Sequence, residues 1–199
     1  MNRRLDELRQ ELRQAADPGR VPAIRRVLQV VPGGYGDCDT IIGVSVPDAR
    51  AIARRHMDIS ITGVVRLLRS AIHEERLVAL LILGRRFETA DDELRERIFR
   101  TYLANTAYVN NWDLVDTSAP VIVGAYLLDR PREPLRTLAR SRSVWERRIA
   151  VVRTLAFIRA GDHDETVRLA RVLFRDEHEL IRKAVGWMLR EVGKRDEPA

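Results

Sequence analysis

His73-Glu74-Glu75-Arg76-Leu77-Val78-Ala79-Leu80-Leu81 decides the fold, because the chain repeats it. Trp145-Glu146-Arg147-Arg148-Ile149-Ala150-Val151-Val152 has the same order, a charged opening and then an apolar run, and places Ala150 71 residues after Ala79. Ile181-Arg182-Lys183-Ala184-Val185-Gly186-Trp187 echoes it again, with Ala184 following Ala150 by 34 residues. A spacing of 71 is twice a period of about 35, the length of one helix–turn–helix unit. Such a unit cannot bury its apolar face alone, so neighbouring units must stack to build a continuous core. The small Ala79, Ala150, Ala184 and Gly186 are expected to let those helices approach closely.

Outward from these segments almost everything reads as amphipathic helix. The pattern predicts helices at 2–15, 22–30, 47–56, 60–70, 73–87, 92–105, 112–128, 132–140, 144–160, 163–174 and 177–192. Residues 31–46 read as irregular, with Gly33, Gly34 and Gly36 permitting tight turns. Pro47 suits the first position of a helix. No linker or low-complexity tract interrupts the chain. The expected fold class is therefore all-α, an α-α solenoid of HEAT-like helix pairs forming one domain over residues 1–199. Stacked pairs curve, and a concave face then serves for binding.

A hydrophobic fraction of 45% allows a core, and no apolar run approaches the ~20 residues of a membrane span. The N-terminal Met-Asn-Arg-Arg-Leu-Asp-Glu-Leu lacks the apolar segment of a signal peptide. Cys38 is the only cysteine, which excludes an internal disulfide and favours a cytoplasmic location. The net charge is +6, and Lys183 and Lys194 are the only lysines, so arginine carries the basicity. Guanidinium groups bind phosphate bidentately and stack on bases, which leans toward a nucleic-acid partner. Most of these arginines alternate with acids, however, and solvated helix faces are the plain alternative.

The chemistry concentrates in Asn111-Trp112-Asp113-Leu114-Val115-Asp116. On a helix, Trp112 and Asp116 share one face, one turn apart, while Asp113 points about 100° away and is expected to cap or brace a neighbouring turn. With Arg148 and Trp187 on later helices, the set can form an aromatic-walled anionic cleft beside a basic surface. Such a cleft suits a cationic reacting centre on a polyanion. Of Arg147 and Arg148, helical geometry lets only one face a cleft squarely. Trp145 is expected to pack in the core.

The motifs Gly-Gly-Tyr-Gly-Asp (33–37), Gly-Val-Ser-Val-Pro-Asp-Ala-Arg (43–50), His-Glu-Glu-Arg (73–76), Asn-Trp-Asp-Leu-Val-Asp (111–116), Trp-Glu-Arg-Arg (145–148) and Ala-Val-Gly-Trp-Met-Leu-Arg-Glu (184–191) follow one another in order. In this the chain resembles the AlkD-type DNA alkylation repair family, the HEAT-like-repeat alkylpurine DNA glycosylases. The resemblance implies hydrolysis of the N-glycosidic bond of cationic N3- and N7-alkylated purines in double-stranded DNA, by a monofunctional enzyme that needs no metal and no cofactor. It implies a concave basic DNA-binding face and catalytic roles for Asp116, Trp112, Trp187 and Arg148. Asp116 would stabilise the oxocarbenium-like sugar and position water. Arg148 would grip a phosphate, and the match favours it over Arg147. It also implies that the cleft acts on the sugar while the base stays out of a tight pocket. Relatives usually continue past the Gly-Trp-Met-Leu-Arg-Glu helix, so the last helix pair, which carries Trp187, is expected to be uncapped and the family's C-terminal helices absent.

Lys183 and Arg190 flank Trp187 at helical spacing and are candidate phosphate contacts, and Tyr35 is a candidate DNA contact from the glycine loop. Asp37 and Asp39 around Cys38 make a poor cation site, and no ligand set of metal-binding type and spacing is present. The acids of Asp162-His163-Asp164-Glu165, like those following His73, read as helix-opening charges that oppose the dipole. No amine nucleophile stands near the motif, so no lyase step is expected. A monomer is expected. The alternative function is non-catalytic binding of damaged or branched DNA by the same repeats. A third reading is a protein-interaction scaffold, which would lack the steep salt dependence of phosphate binding.

Overall fold

The computed structural model describes residues 3–196, and among them the fold is all-α. The β-type pairing among the described residues is an isolated parallel bridge between Thr40 and Ile72. The chain divides into two compact units, Met1–Leu114 and Val115–Ala199. No linker separates them, because the boundary falls inside a helix.

The first unit contains α1 (Arg3–Gln14), α2 (Val21–Val27), α3 (Val46–Arg55), α4 (Ile61–Leu68), α5 (His73–Thr89) and α6 (Asp92–Leu103). A 3-10 turn at Thr106–Tyr108 leads into α7 (Trp112–Ala119). Caps fix several starts. Ser45 accepts from the Asp48 amide and donates its hydroxyl to the Asp48 carboxylate, Ser60 caps α4, and Asp91 caps α6. Pro47 lies in the first turn of α3, as its missing N–H favours. The core forms where Leu5, Leu8 and Leu12 of α1 and Ile52 of α3 join Leu67, Leu80 and Leu83 of α4 and α5, all essentially inaccessible. α5 packs against α1, α3, α4 and α6 and is buried around most of its circumference.

Residues 31–45 remain outside helix, as expected, but they are tightly anchored. The carboxylate of Glu74 accepts from the amides of Ile42 and Gly43. Gly43 has φ +88°, and a Cβ there would stand 2.1 Å from the Asp17 carbonyl oxygen, so only glycine fits this crossing.

The second unit holds the rest of α7, a π turn (Pro120–Gly124), α8 (Glu133–Ala139), α9 (Val144–Val152), α10 (Thr154–Arg159), α11 (Asp164–Leu173) and α12 (Glu179–Asp196). α9 packs on α8, α11 and α12, and α10 packs on the π turn. Two predicted helices differ here. The segment 112–128 leaves α-geometry at Pro120, whose ring and missing N–H disrupt the i→i−4 ladder. The segment 144–160 breaks at Arg153, beside which the Thr154 hydroxyl donates to the Val151 carbonyl at 2.7 Å. The two irregularities meet: a Cβ on Gly124 would be 2.4 Å from the Arg153 carbonyl oxygen.

Of the four small residues, Ala79, Ala150 and Ala184 are fully buried, consistent with close helix approach. Gly186 is not. It is exposed, and a Cβ there would meet nothing within 4 Å, so the expectation of a packing role fails for it.

Candidate functional site

Within the second unit the structure joins two of the sequence-derived residues directly. Arg148 Nε donates to Asp116 Oδ1 at 2.9 Å and Nη2 donates to Oδ2 at 2.8 Å. Its Nη1 donates to the Leu180 carbonyl at 2.7 Å, which ties α9 to the first turn of α12. Such a fork fixes both the position and the plane of a carboxylate. The Arg148 side chain is 7% exposed, whereas that of Asp116 keeps 19%, so solvent reaches the acid more than the base. Arg147 turns elsewhere, to Asp176 and to the carbonyls of Ser141 and Arg142. Burial alone would raise the Asp176 pKa, but hydrogen bonds from Arg147 and from the His178 amide hold it below the usual carboxylate range.

Trp187 stands on the same α12 whose Leu180 carbonyl Arg148 holds, and it is half-buried. Lys183 and Arg190 flank it, both exposed, with Lys183 paired to Glu179 at 3.2 Å. Trp145 is buried, as a packing role requires.

In the first unit, Trp112 opens α7 and packs partly buried on the cluster of Leu28, Val30 and Ile41, together with Val21 and Ile24. Asn111 fixes its backbone: Nδ2 donates to the Leu28 carbonyl at 3.0 Å, and Oδ1 accepts from the Trp112 amide at 2.8 Å. Asp113 braces as its helical direction suggests, accepting from His73 Nε2 at 2.7 Å. His73 Nδ1 donates to Asp39 at 2.9 Å, and Arg76 also donates to Asp39. Trp112, His73 and Asp113 line one cavity of about 540 Å³ with largely apolar walls, among them Ile24, Val27 and Val46. Tyr35 is half-buried in the loop after α2.

A family model described as DNA alkylation repair enzyme matches residues 8–199. The chain belongs to that family. No curated protein matches it. For this DNA alkylation repair family member the match spans both units and every motif quoted above. Among the described residues, no group of three or more His, Cys, Asp and Glu is placed to hold a metal ion, and no helix is long and apolar enough to cross a membrane.

Sequence reasoning missed the part played by His73-Glu74-Glu75-Arg76. All four are at most 4% exposed. Glu75 takes a bidentate grip from Arg9 of α1, and Glu74 holds two loop amides. These are tertiary ties rather than dipole-opposing surface charges. The available signal was their position at the start of a segment with no polar face to spare. Arg153 was missed as well. Its side chain is fully buried, its nitrogens have no hydrogen-bond partner among the described residues, and Glu165 approaches only to 3.7 Å. It stacks on Phe157, 4.5 Å from the ring centre. Burial draws its pKa down to about 9.

Proposed function

We propose that this DNA alkylation repair family member is a DNA glycosylase that removes cationic N3- and N7-alkylpurines from duplex DNA, leaving an abasic site. The observation that carries the reading is the bidentate Asp116–Arg148 pair, built from two residues that the family resemblance marks as functional. Alkylation at N3 or N7 puts a positive charge on the purine, so the base departs neutral without being protonated. What the reaction still needs is a fixed negative charge near the developing oxocarbenium and an acceptor for the attacking water. A carboxylate oxygen accepts more than one hydrogen bond, so Asp116 can orient water while Arg148 holds it.

On this reading Trp112 and Trp187 offer π-faces to the sugar cation, contacts worth roughly 0.5–2 kcal/mol each. These roles come from the resemblance. Nη1 and Nη2 of Arg148 each bear a second N–H beyond those used within the unit, and these are the donors for the expected phosphate contact. Lys183, Arg190 and Tyr35 serve as flanking DNA contacts, within a stack of helix pairs that cradles the duplex on a basic face.

The test is release of free 7-methylguanine and 3-methyladenine from methylated duplex DNA, beside a uracil-containing duplex. Release of both methylpurines, with uracil retained, is the expected result. Uracil excision at a comparable rate refutes selection by lesion charge. Salt-sensitive DNA binding with no base release replaces the glycosylase reading with DNA binding alone.

A further inference from the structure

We propose that His73 is a positioning residue for Trp112: clamped between Asp39 and Asp113, its imidazolium fixes the first turn of α7 and the indole that turn carries, and discharging it releases them. The catalytic consequence rests on the glycosylase reading above; the clamp itself does not.

Both ends of the clamp are anchored. On one side the Thr40 amide donates to the Ala71 carbonyl and the His73 amide to the Thr40 carbonyl, each at 2.9 Å, so Asp39 cannot drift from α5. Arg76 holds the same carboxylate. On the other side Asp113 follows Trp112 directly. Its Oδ2 is held by His73, while its Oδ1 is buried with no hydrogen-bond partner. The Asp113 side chain is only 19% exposed, so its position depends on the imidazolium, since a poorly hydrated charge without a partner is driven toward solvent.

Charge bookkeeping sets the direction. Two carboxylates, Asp39 and Asp113, face one imidazolium and one guanidinium, Arg76, so the cluster is neutral with His73 protonated and carries one uncompensated negative charge without the proton. The remaining charged groups around the cavity that His73 lines are Glu74, committed to the Ile42 and Gly43 amides, and Arg20. Burial alone would lower the His73 pKa, but its hydrogen bonds to Asp113 and Asp39 and the charge of Asp113 prevail over it and over Arg76, raising it to about 9. The imidazolium is thus retained at neutral pH and lost as pH rises through about 9. Neutral imidazole keeps a single N–H for two carboxylates, so one of them then faces a bare ring nitrogen and the clamp is open at one end, while Asn111 and the apolar cluster continue to hold Trp112.

The test uses the intact chain carrying 5-fluorotryptophan, with the Trp112 resonance identified by its loss in Trp112→Phe. In the wild type that resonance should titrate near pH 9. In His73→Gln the titration should be absent, and in Asp113→Asn it should move toward the ordinary histidine value of about 6.5. In single-turnover excision of 7-methylguanine, the wild-type to His73→Gln rate ratio should be about tenfold at neutral pH and shrink toward unity above pH 9, because misplacing a catalytic group costs rate. Taking the ratio cancels the titration of the lesion itself. DNA affinity should change by less than about twofold, since His73 is not a phosphate contact. A Trp112 resonance that is flat through pH 9, or a ratio near one at neutral pH, overturns the proposal. Should His73→Gln fail to fold by circular dichroism, Asp113→Asn decides alone: an unmoved transition overturns the clamp. A wild type that shows the transition but releases no base supports the clamp and refutes the glycosylase reading.

Discussion

Replacing Asp116 by Asn separates chemistry from architecture, and the structure sets the size of each effect. The amide oxygen can still accept from Arg148 Nε at the place of the present 2.9 Å bond, but the amide nitrogen faces Nη2 as a second donor. One charge-assisted hydrogen bond is lost, and a guanidinium that is 7% exposed is left without its counter-charge. Removing one member of a buried pair costs about 3–5 kcal/mol. The Leu180 carbonyl still holds Nη1, and Asp116 is itself partly exposed, so about 2–3 kcal/mol is the expected loss in urea unfolding. A domain of ordinary stability, about 5–15 kcal/mol, stays folded through that loss. Excision should fall much further. Removing one preorganised group that opposes transition-state charge typically costs about 10²–10³ in rate. On the glycosylase reading, binding to undamaged duplex should hold or tighten slightly, because a negative charge beside the phosphates has been removed. The assay is single-turnover release of 7-methylguanine with enzyme in excess, beside a binding isotherm at matched salt. Excision within about tenfold of wild type would refute the charge-opposing role. Parallel loss of binding and excision would make Asp116 a structural residue whose work is holding Arg148.

Three other substitutions test the packing. Gly124→Ala should destabilise by at least about 2 kcal/mol in thermal or urea unfolding, since its Cβ meets the Arg153 carbonyl oxygen at 2.4 Å and backbone there cannot yield cheaply; an unchanged midpoint would mean the π turn and the α9–α10 break do not touch in solution. Gly186→Ala should stabilise by about 0.5–1 kcal/mol, because the helical position is open and alanine is the better helix former; destabilisation would show a close approach there. Arg153→Met should be neutral or stabilising by about 1–4 kcal/mol, as happens when a poorly compensated buried charge gives way to an apolar side chain of similar volume; a large loss would show that the guanidinium is satisfied by ordered water.

The helices were legible because their signals are local. Ser60 and Asp91 sit where caps belong, Pro47 sits where proline is tolerated, and the apolar positions of α1 recur at helical spacing. The breaks at Pro120 and Arg153 were missed. Pro120 was a local signal passed over in a long apolar segment, whereas the close approach of Gly124 to the Arg153 carbonyl joins two distant segments that no single window contains. The site divides in the same way. That Asp113 and Asp116 find different partners, His73 and Arg148, follows from their different helical directions. That His73 is a clamped cation does not follow from any local pattern, because its two carboxylates come from 34 residues before and 40 residues after it.

Arg148 and Arg153 make the sharper case. They lie five residues apart in Trp-Glu-Arg-Arg-Ile-Ala-Val-Val-Arg, and by composition both look like basic residues of an amphipathic helix. Both are buried instead. Arg148 meets a carboxylate in fork geometry and a carbonyl at a helix start, so its charge is compensated and its placement rigid. Arg153 lies at the break that ends α9, over the Phe157 ring, with Glu165 beyond hydrogen-bond distance. The same side chain is thus a precise tool at one position and a cost of folding at the other. What separates them is the complement each finds on a neighbouring helix, information that lies 32 residues away for Arg148 and 12 for Arg153. An arginine in this chain can be assigned to DNA only after its internal partners are known. On that criterion, and on the glycosylase reading, Arg190, exposed on α12 beside Trp187, has a stronger claim to the phosphate backbone than Lys183, paired to Glu179, or Arg148, whose first duty is to Asp116.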